Sequence, residues 1–289
     1  MAIMSNFETL SLHRISQLPL DRDAEIFRHY SAFKLGVTKS VRHYAELLLP
    51  LVKKLIASDS EHNNWILTGP AIASQTLAGA NLLCRELFDL YNQERNIHNS
   101  KVLSLIDIQY DNEATASIDY ANLDFANRLT ERERLSTRLL RNSNFQRRPI
   151  LFINDICVTG AQQQAMQQYF EQNEAAWVSW LYLIVVDPEI GRMNPKIEWQ
   201  INFVPFEDLL RMMASEEIQF TGKCLLRLMQ LSPSELDQVL QSLNQKRVIQ
   251  LLELATRNGF QNLDGFQEQM QLVRSFVTER TTLGAVEGI

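Results

Sequence analysis

An acidic residue, a Thr-Gly pair and the start of a helix follow an apolar run at Ile150–Gln164, which reads Ile-Leu-Phe-Ile-Asn-Asp-Ile-Cys-Val-Thr-Gly-Ala-Gln-Gln-Gln. The four apolar residues Ile150–Ile153 have the character of a strand buried on both faces. Thr159, Gly160 and Ala161 let main-chain N–H groups converge on one point at a helix N-terminus, where unpaired amides and the positive end of the helix dipole favour an anion. Gly160 allows close approach or a positive φ. Asp155 stands near the carboxyl end of the strand, where open α/β sheets bind ligands. A carboxylate beside a phosphate cradle repels the phosphate, so its partners are sugar hydroxyls or a metal ion. The competing reading makes Asp155 a turn or cap residue. It likewise makes Gln162 the closing member of a capping box, Thr159-x-x-Gln162. Asn154 next to Asp155 offers an amide and no negative charge.

The elements that must position this stretch alternate. Residues 21–57 read as helical, with a break at Gly36 and Thr38. Trp65–Leu67 is a short strand ending at Thr68-Gly69-Pro70, and a helix over Ser74–Gln93 follows. Val102–Ile108 is a second strand, Ile150–Ile153 a third and Trp177–Val186 a fourth, with a helix over Gln162–Gln172. Ile197–Phe203 alternates and is expected as an edge strand. Such alternation implies an α/β fold, a mainly parallel sheet flanked by helices. From Pro205 the chain reads as an α-helical C-terminal extension. Ser232-Pro233-Ser234-Glu235 carries a capping box, and a helix bearing Leu251, Leu252 and Leu254 ends before Asn258-Gly259. Residues 281–289 are expected to fray. The domains expected are therefore 1–205 and 206–289. The long polar segment 110–149 has lid character, with a helix capped by Thr130-x-x-Glu133.

Three stretches together resemble the type I phosphoribosyltransferases. Apolar residues, an acidic pair, three residues and Thr-Gly-small before a helix resemble their signature for 5-phosphoribosyl 1-pyrophosphate (PRPP). Here Asp155, Thr159, Gly160 and Ala161 match, while Asn154 replaces the first acid and Gln162 the terminal hydroxyl residue. Trp65–Ala80 looks like the first core strand and pyrophosphate loop. Phe33-Lys34-Leu35-Gly36 with Ser40 is similar to the N-terminal hood of orotate phosphoribosyltransferases. The set, with Asp119-Tyr120-Ala121, also resembles a bacterial subgroup found in stress-response and tellurium-resistance gene neighbourhoods.

The resemblance implies pentosyl transfer at the anomeric carbon of PRPP, a glycosyltransferase reaction, with Mg²⁺ bound through pyrophosphate and ribose oxygens. Asp155 and Asn154 take the catalytic positions. Cys157, Val158, Thr159, Gly160, Ala161 and Gln162 surround the 5′-phosphate, Thr68, Gly69 and Ala71 border the pyrophosphate, and Lys34 belongs to the hood. No residue is implied as a direct metal ligand. As a residue type alone, Lys34 reads as a surface lysine. The chain has no lysine between Lys101 and Lys196, whereas orotate enzymes use one in their mobile loop. The alternative of the same fold is a PRPP- or nucleotide-binding regulator without turnover, which the two departures favour. A phosphatase of Asp-x-Asp-x-Thr type fits Asp155-Ile-Cys157-Val-Thr159 in spacing, but Cys157 replaces the required acid.

Composition bounds the rest. A 289-residue chain with 45% hydrophobic residues is of a size to bury a full core, and a net charge of −6 disfavours a nucleic-acid coat. Arginines at 128, 132, 134, 138, 141, 147 and 148 suit a solvated helix face, with one or two left to reach a phosphate. Cys84, Cys157 and Cys224 form no pair by spacing, and the histidines show no metal spacing. Residues 1–20 contain no continuous apolar stretch, so no leader is expected, and Trp177–Val186 is about half a membrane span. The expectation is a cytoplasmic homodimer acting on a small molecule, without membrane or nucleic-acid partners.

Overall fold

The computed structural model describes residues 9–20, 25–72, 76–98, 101–111, 127, 130, 134–215 and 217–286. Five parallel strands form one sheet: β1 (Thr9–Ile15), β2 (Asn64–Thr68), β3 (Val102–Leu105), β4 (Pro149–Cys157) and β5 (Trp177–Val186), in the spatial order β1-β5-β4-β2-β3. Between β1 and β2 lie the short helices α1 (Glu25–Arg28) and α2 (Tyr30–Leu35) and the long α3 (Thr38–Ser58). The crossover helices are α4 (Gly79–His98) and α5 (Ala161–Gln172). After β5 come α6 (Pro188–Met193), α7 (Ile197–Asn202), α8 (Phe206–Ser215), α9 (Gly222–Met229), α10 (Pro233–Ser242), α11 (Gln245–Arg257) and α12 (Gln267–Val286).

The apolar runs work because the pleat sends successive side chains to opposite faces and both faces are covered. On β4, Leu151 and Ile153 join the core shared with Tyr44, Leu48, Leu83 and Leu87 of α3 and α4. Ile150 and Phe152 join Trp180, Met166 and Phe170 on the α5 side. A third core lies among the C-terminal helices, where Leu209, Leu225, Leu236, Val239 and Leu251 are buried. It takes in Leu35 and Val37 from the N-terminal tract. The expected break between the first helices is there, with Gly36 at φ +92°. The capping box at Ser232 and Glu235 forms as well.

Several expectations are corrected. Residues 197–202 form α7, not an edge strand. In a segment this short, Ile197 and Ile201 satisfy helical i,i+4 spacing as well as alternation, and both face the sheet core. The edge position belongs to β1, in register with β5 from Thr9↔Trp180 to Ile15↔Val186. Strand β4 runs on through Cys157, so Asn154 and Asp155 lie within it rather than after it. Strand β3 stops at Leu105, because the Thr68 hydroxyl takes the Ile106 carbonyl (2.6 Å) in place of a ladder bond. Helix α4 starts at Gly79, and α12 continues to Val286 into the tail expected to fray. Glu133, Arg128, Arg132, Ser74 and Asp119–Ala121 fall outside the described residues.

The topology sets where the sheet opens. From β2 the chain moves outward to β3, whereas β4 lies on the other side of β2 and leads to β5. The connections leaving the carboxyl ends of β2 and β4 therefore diverge, opening the crevice in which parallel sheets bind ligands. Ladder pairing between these two strands ends at Thr68↔Phe152, while β4 stays paired with β5 as far as Cys157↔Val185. The last residues of β4 thus border the crevice.

Candidate active site

Asp155 is the buried carboxylate of the crevice, 6% exposed. The pleat turns it toward the face covered by α2–α4, like Leu151 and Ile153. There its Oδ2 meets the Lys34 ammonium and accepts the Tyr30 hydroxyl at 3.2 Å. Lys34 also reaches Glu198 Oε1 of α7 at 3.0 Å. Lys34 is therefore no surface lysine. Burial alone would depress its pKa, but Asp155 and then Glu198 outweigh burial and raise it above the ordinary lysine value. Tyr30 is pushed well up by burial and by Asp155, which keeps its hydroxyl a donor.

Asn154, one residue earlier, faces the α5 side. It donates to Gln162 Oε1 at 3.0 Å. The two positions at which this sequence departs from the PRPP signature are thus bonded to each other. The capping box that the competing reading gave Thr159 and Gln162 does not form. Gly160, at φ +76°, is the N-cap of α5 without a side-chain cap, and Thr159 Oγ1 instead accepts the Ala161 N–H at 3.4 Å. A Cβ on Gly160 would meet nothing within 4 Å, so the main chain there is open to approach.

Residues 157–160 line a cleft of about 480 Å³ together with Thr9 and Arg14 of β1, Gln163, Gln164 and Gln167 of α5, Trp180, Val185, Val186 and Pro188. Arg14 brings a guanidinium, shared with Asp187 at 2.9 Å. Cys157 is half-buried, and burial raises its thiol pKa, which disfavours the thiolate. Gln163 accepts from Tyr182 at 3.2 Å and donates to Thr9 at 3.2 Å.

The loop after β2 is held from behind. Asn81, 3% exposed, donates to the Pro70 carbonyl at 2.7 Å and accepts from the Ala78 N–H at 2.9 Å. Gly69 packs where a Cβ would lie 3.0 Å from Cys84 Sγ. The Thr68 hydroxyl donates to the Ile106 carbonyl and the residue is fully buried, so Thr68 holds the loop from within rather than facing the crevice. Ala71 is half-buried. The candidates thus fall into two groups: Asp155 with Lys34 beneath the hood, and Cys157–Gly160 on the α5 cleft. Among the arginines, Arg138 pairs with Asp111, and Arg148 donates to the Trp65 carbonyl and Ser104.

Sequence reasoning missed Tyr30, Glu198, Arg14, Asn81 and Gly191. Tyr30 was one turn before Lys34 on the same short helix, a spacing that could have flagged it. Gly191 of α6 packs against the loop: a Cβ would stand 1.9 Å from the Val158 carbonyl oxygen. Gly191→Ala is expected to cost about 1–3 kcal/mol through overpacking and to shift the Val158–Gly160 loop. Urea unfolding checks the first effect, and calorimetric titration with Mg²⁺–PRPP checks the second.

No curated protein matches the chain. Among solved structures it is similar to a hypoxanthine phosphoribosyltransferase from Staphylococcus aureus, at 10% identity over 54% of this chain and 68% of that one, with a TM-score of 0.32. It is similar also to a hypoxanthine-guanine phosphoribosyltransferase from Bacillus anthracis, at 11% identity over 54% of this chain and 73% of that one, with a TM-score of 0.31. The PRTase ComF-like family model matches residues 7–273, taking in the whole sheet, the hood and most of the C-terminal helices. The chain belongs to the PRTase ComF-like family of phosphoribosyltransferase-fold proteins.

Proposed function

We propose that this protein binds PRPP at the β2/β4 crevice and transfers its ribose 5-phosphate to a nitrogenous base. The observation that carries the proposal is the helix start at Gly160, where the N-cap makes no side-chain cap bond and a Cβ would meet nothing within 4 Å, on the turn that follows the buried Asp155 at the switch point of a parallel sheet. In this reading, amides of the 159–162 segment hold the 5′-phosphate, with Arg14 adding positive charge from across the cleft. Asp155 accepts a ribose hydroxyl, and the Gly69–Ala71 main chain borders the pyrophosphate. Departure of pyrophosphate develops positive charge on the sugar ring, which a fixed carboxylate nearby stabilises.

Magnesium is part of the chemistry the fold implies. Among the described residues no group of three or more His, Cys, Asp or Glu side chains could hold a metal ion. Both carboxylates at the crevice face the Lys34 ammonium. These residues do not fit a protein-held ion, and in this proposal Mg²⁺ would enter only on the oxygens of PRPP.

A second reading, binding without turnover, is favoured by the Asn154–Gln162 bond, which ties up the two substituted signature positions. Calorimetry with Mg²⁺–PRPP, followed by pyrophosphate release across a panel of purine and pyrimidine bases, separates the two. Binding with release is expected. Binding without release selects the regulator, and absence of binding sinks both. Among the described residues no helix is long and apolar enough to cross a membrane.

A further inference from the structure

Lys34 faces two carboxylates with one charge, Asp155 on β4 and Glu198 on α7. The backbone beneath it is pinned. Its carbonyl accepts the Thr221 hydroxyl at 2.7 Å, Gln219 N donates to the Gly36 carbonyl at 2.9 Å, and a Cβ on Gly36 would lie 1.9 Å from the Gln219 oxygen. The helix carrying Glu198 is tied to the same hood, because the Ser31 hydroxyl donates to the Ile201 carbonyl at 3.0 Å. The strand that carries Asp155 and the helix that carries Glu198 are thus held on either side of the Lys34 side chain, which is long enough to touch both acids.

We propose that Glu198 is a positioning residue that serves as the second seat of Lys34. When ligand hydroxyls take Asp155, the ammonium passes wholly onto Glu198, so Glu198 sets how readily the site admits a sugar phosphate. The inference rests on the proposal that Asp155 is the ligand's carboxylate. Its physical basis is the cost of a buried ammonium without a counter-charge. A hydroxyl arriving at Asp155 displaces Lys34, and Glu198 is already in contact to receive it. Without that acid, Lys34 stays on Asp155 and competes with the ligand.

The test is calorimetric titration of the full chain with Mg²⁺–PRPP, with melting curves to establish folding of each variant. Glu198→Gln is expected to weaken binding at least five-fold, and Glu198→Asp, which keeps the charge, to recover most of the loss. In a Lys34→Gln background, Glu198→Gln is expected to change affinity less than two-fold, because the effect acts through Lys34. An unchanged or tighter affinity in Glu198→Gln overturns the inference. So does a loss that persists in the Lys34→Gln background, which would place Glu198 against the ligand itself. If Lys34→Gln does not fold, the Glu198→Asp recovery decides alone, and its failure overturns the inference. Wild type that binds while Asp155→Asn binds equally well removes the underlying site reading instead. Wild type that does not bind removes both.

Discussion

Lys34→Met is expected to lower the unfolding free energy by about 3–5 kcal/mol, the cost of removing one partner from a buried ion pair. For a chain of this length that is a fall in melting temperature of roughly 10 °C. Methionine fills much of the same volume, so the effect is electrostatic rather than a cavity. Asp155 is almost fully buried and Glu198 lies close by, so the substitution leaves two acids without the cation between them. The pH dependence has a definite sign. The folded-state pKa of Lys34 lies above the unfolded lysine value, so its contribution is present in full below about pH 10.4 and is lost as pH rises through the folded value. The melting-temperature gap between wild type and Lys34→Met should therefore be flat from neutral pH to about 10 and close above it. A gap of under 2 °C at pH 7 would mean that the ion pair contributes nothing to the fold.

This pair also marks the boundary of what the amino-acid sequence discloses. The path from β4 through Gly160 into α5 was legible because its signals are local: an apolar run, a Thr-Gly turn and a helical period within 25 residues. Strand β5 was legible to the residue for the same reason. Asp155 and Glu198 lie 121 and 164 residues beyond Lys34 along the chain, and no local pattern joins them. Treating Lys34 as a solvated side chain was the correct expectation for an isolated lysine and failed on tertiary context alone.

Edge elements failed differently. Thr9–Ile15 alternates Leu10 and Leu12 with polar residues, a strand signal on one face, yet its existence depends on β5 as partner. Ile197–Asn202 carried a comparable alternation, but its apolar residues pack onto the core from a helix. Periodicity over six or seven residues does not separate the two, and the vacancy beside β5 does. The role of Gly191 was hidden as well, since only the approach of the Val158 carbonyl shows why that position lacks a side chain.

Asp155→Asn is expected to weaken PRPP binding on the order of 10–100-fold, the worth of a hydrogen bond to a charged acceptor. Pyrophosphate release, where it occurs, should fall at least as far, while the melting temperature drops by only a few degrees. The asymmetry follows from the contacts. An asparagine oxygen at the Oδ2 position still accepts from Tyr30 and Lys34, and Lys34 keeps Glu198 as its counter-charge, so neither buried donor is orphaned. The amide loses the negative charge, and that charge is what a ribose hydroxyl and a cationic sugar transition state would use. This reverses the ranking for Lys34→Met, where stability falls first. Melting curves and calorimetry on the same preparations measure both quantities. Equal collapse of fold and binding would make Asp155 a structural anchor for the hood. Unchanged binding in a folded variant would take the ribose hydroxyls off Asp155 and leave the ligand held by the cleft that Gly160, Arg14 and Gln163 line.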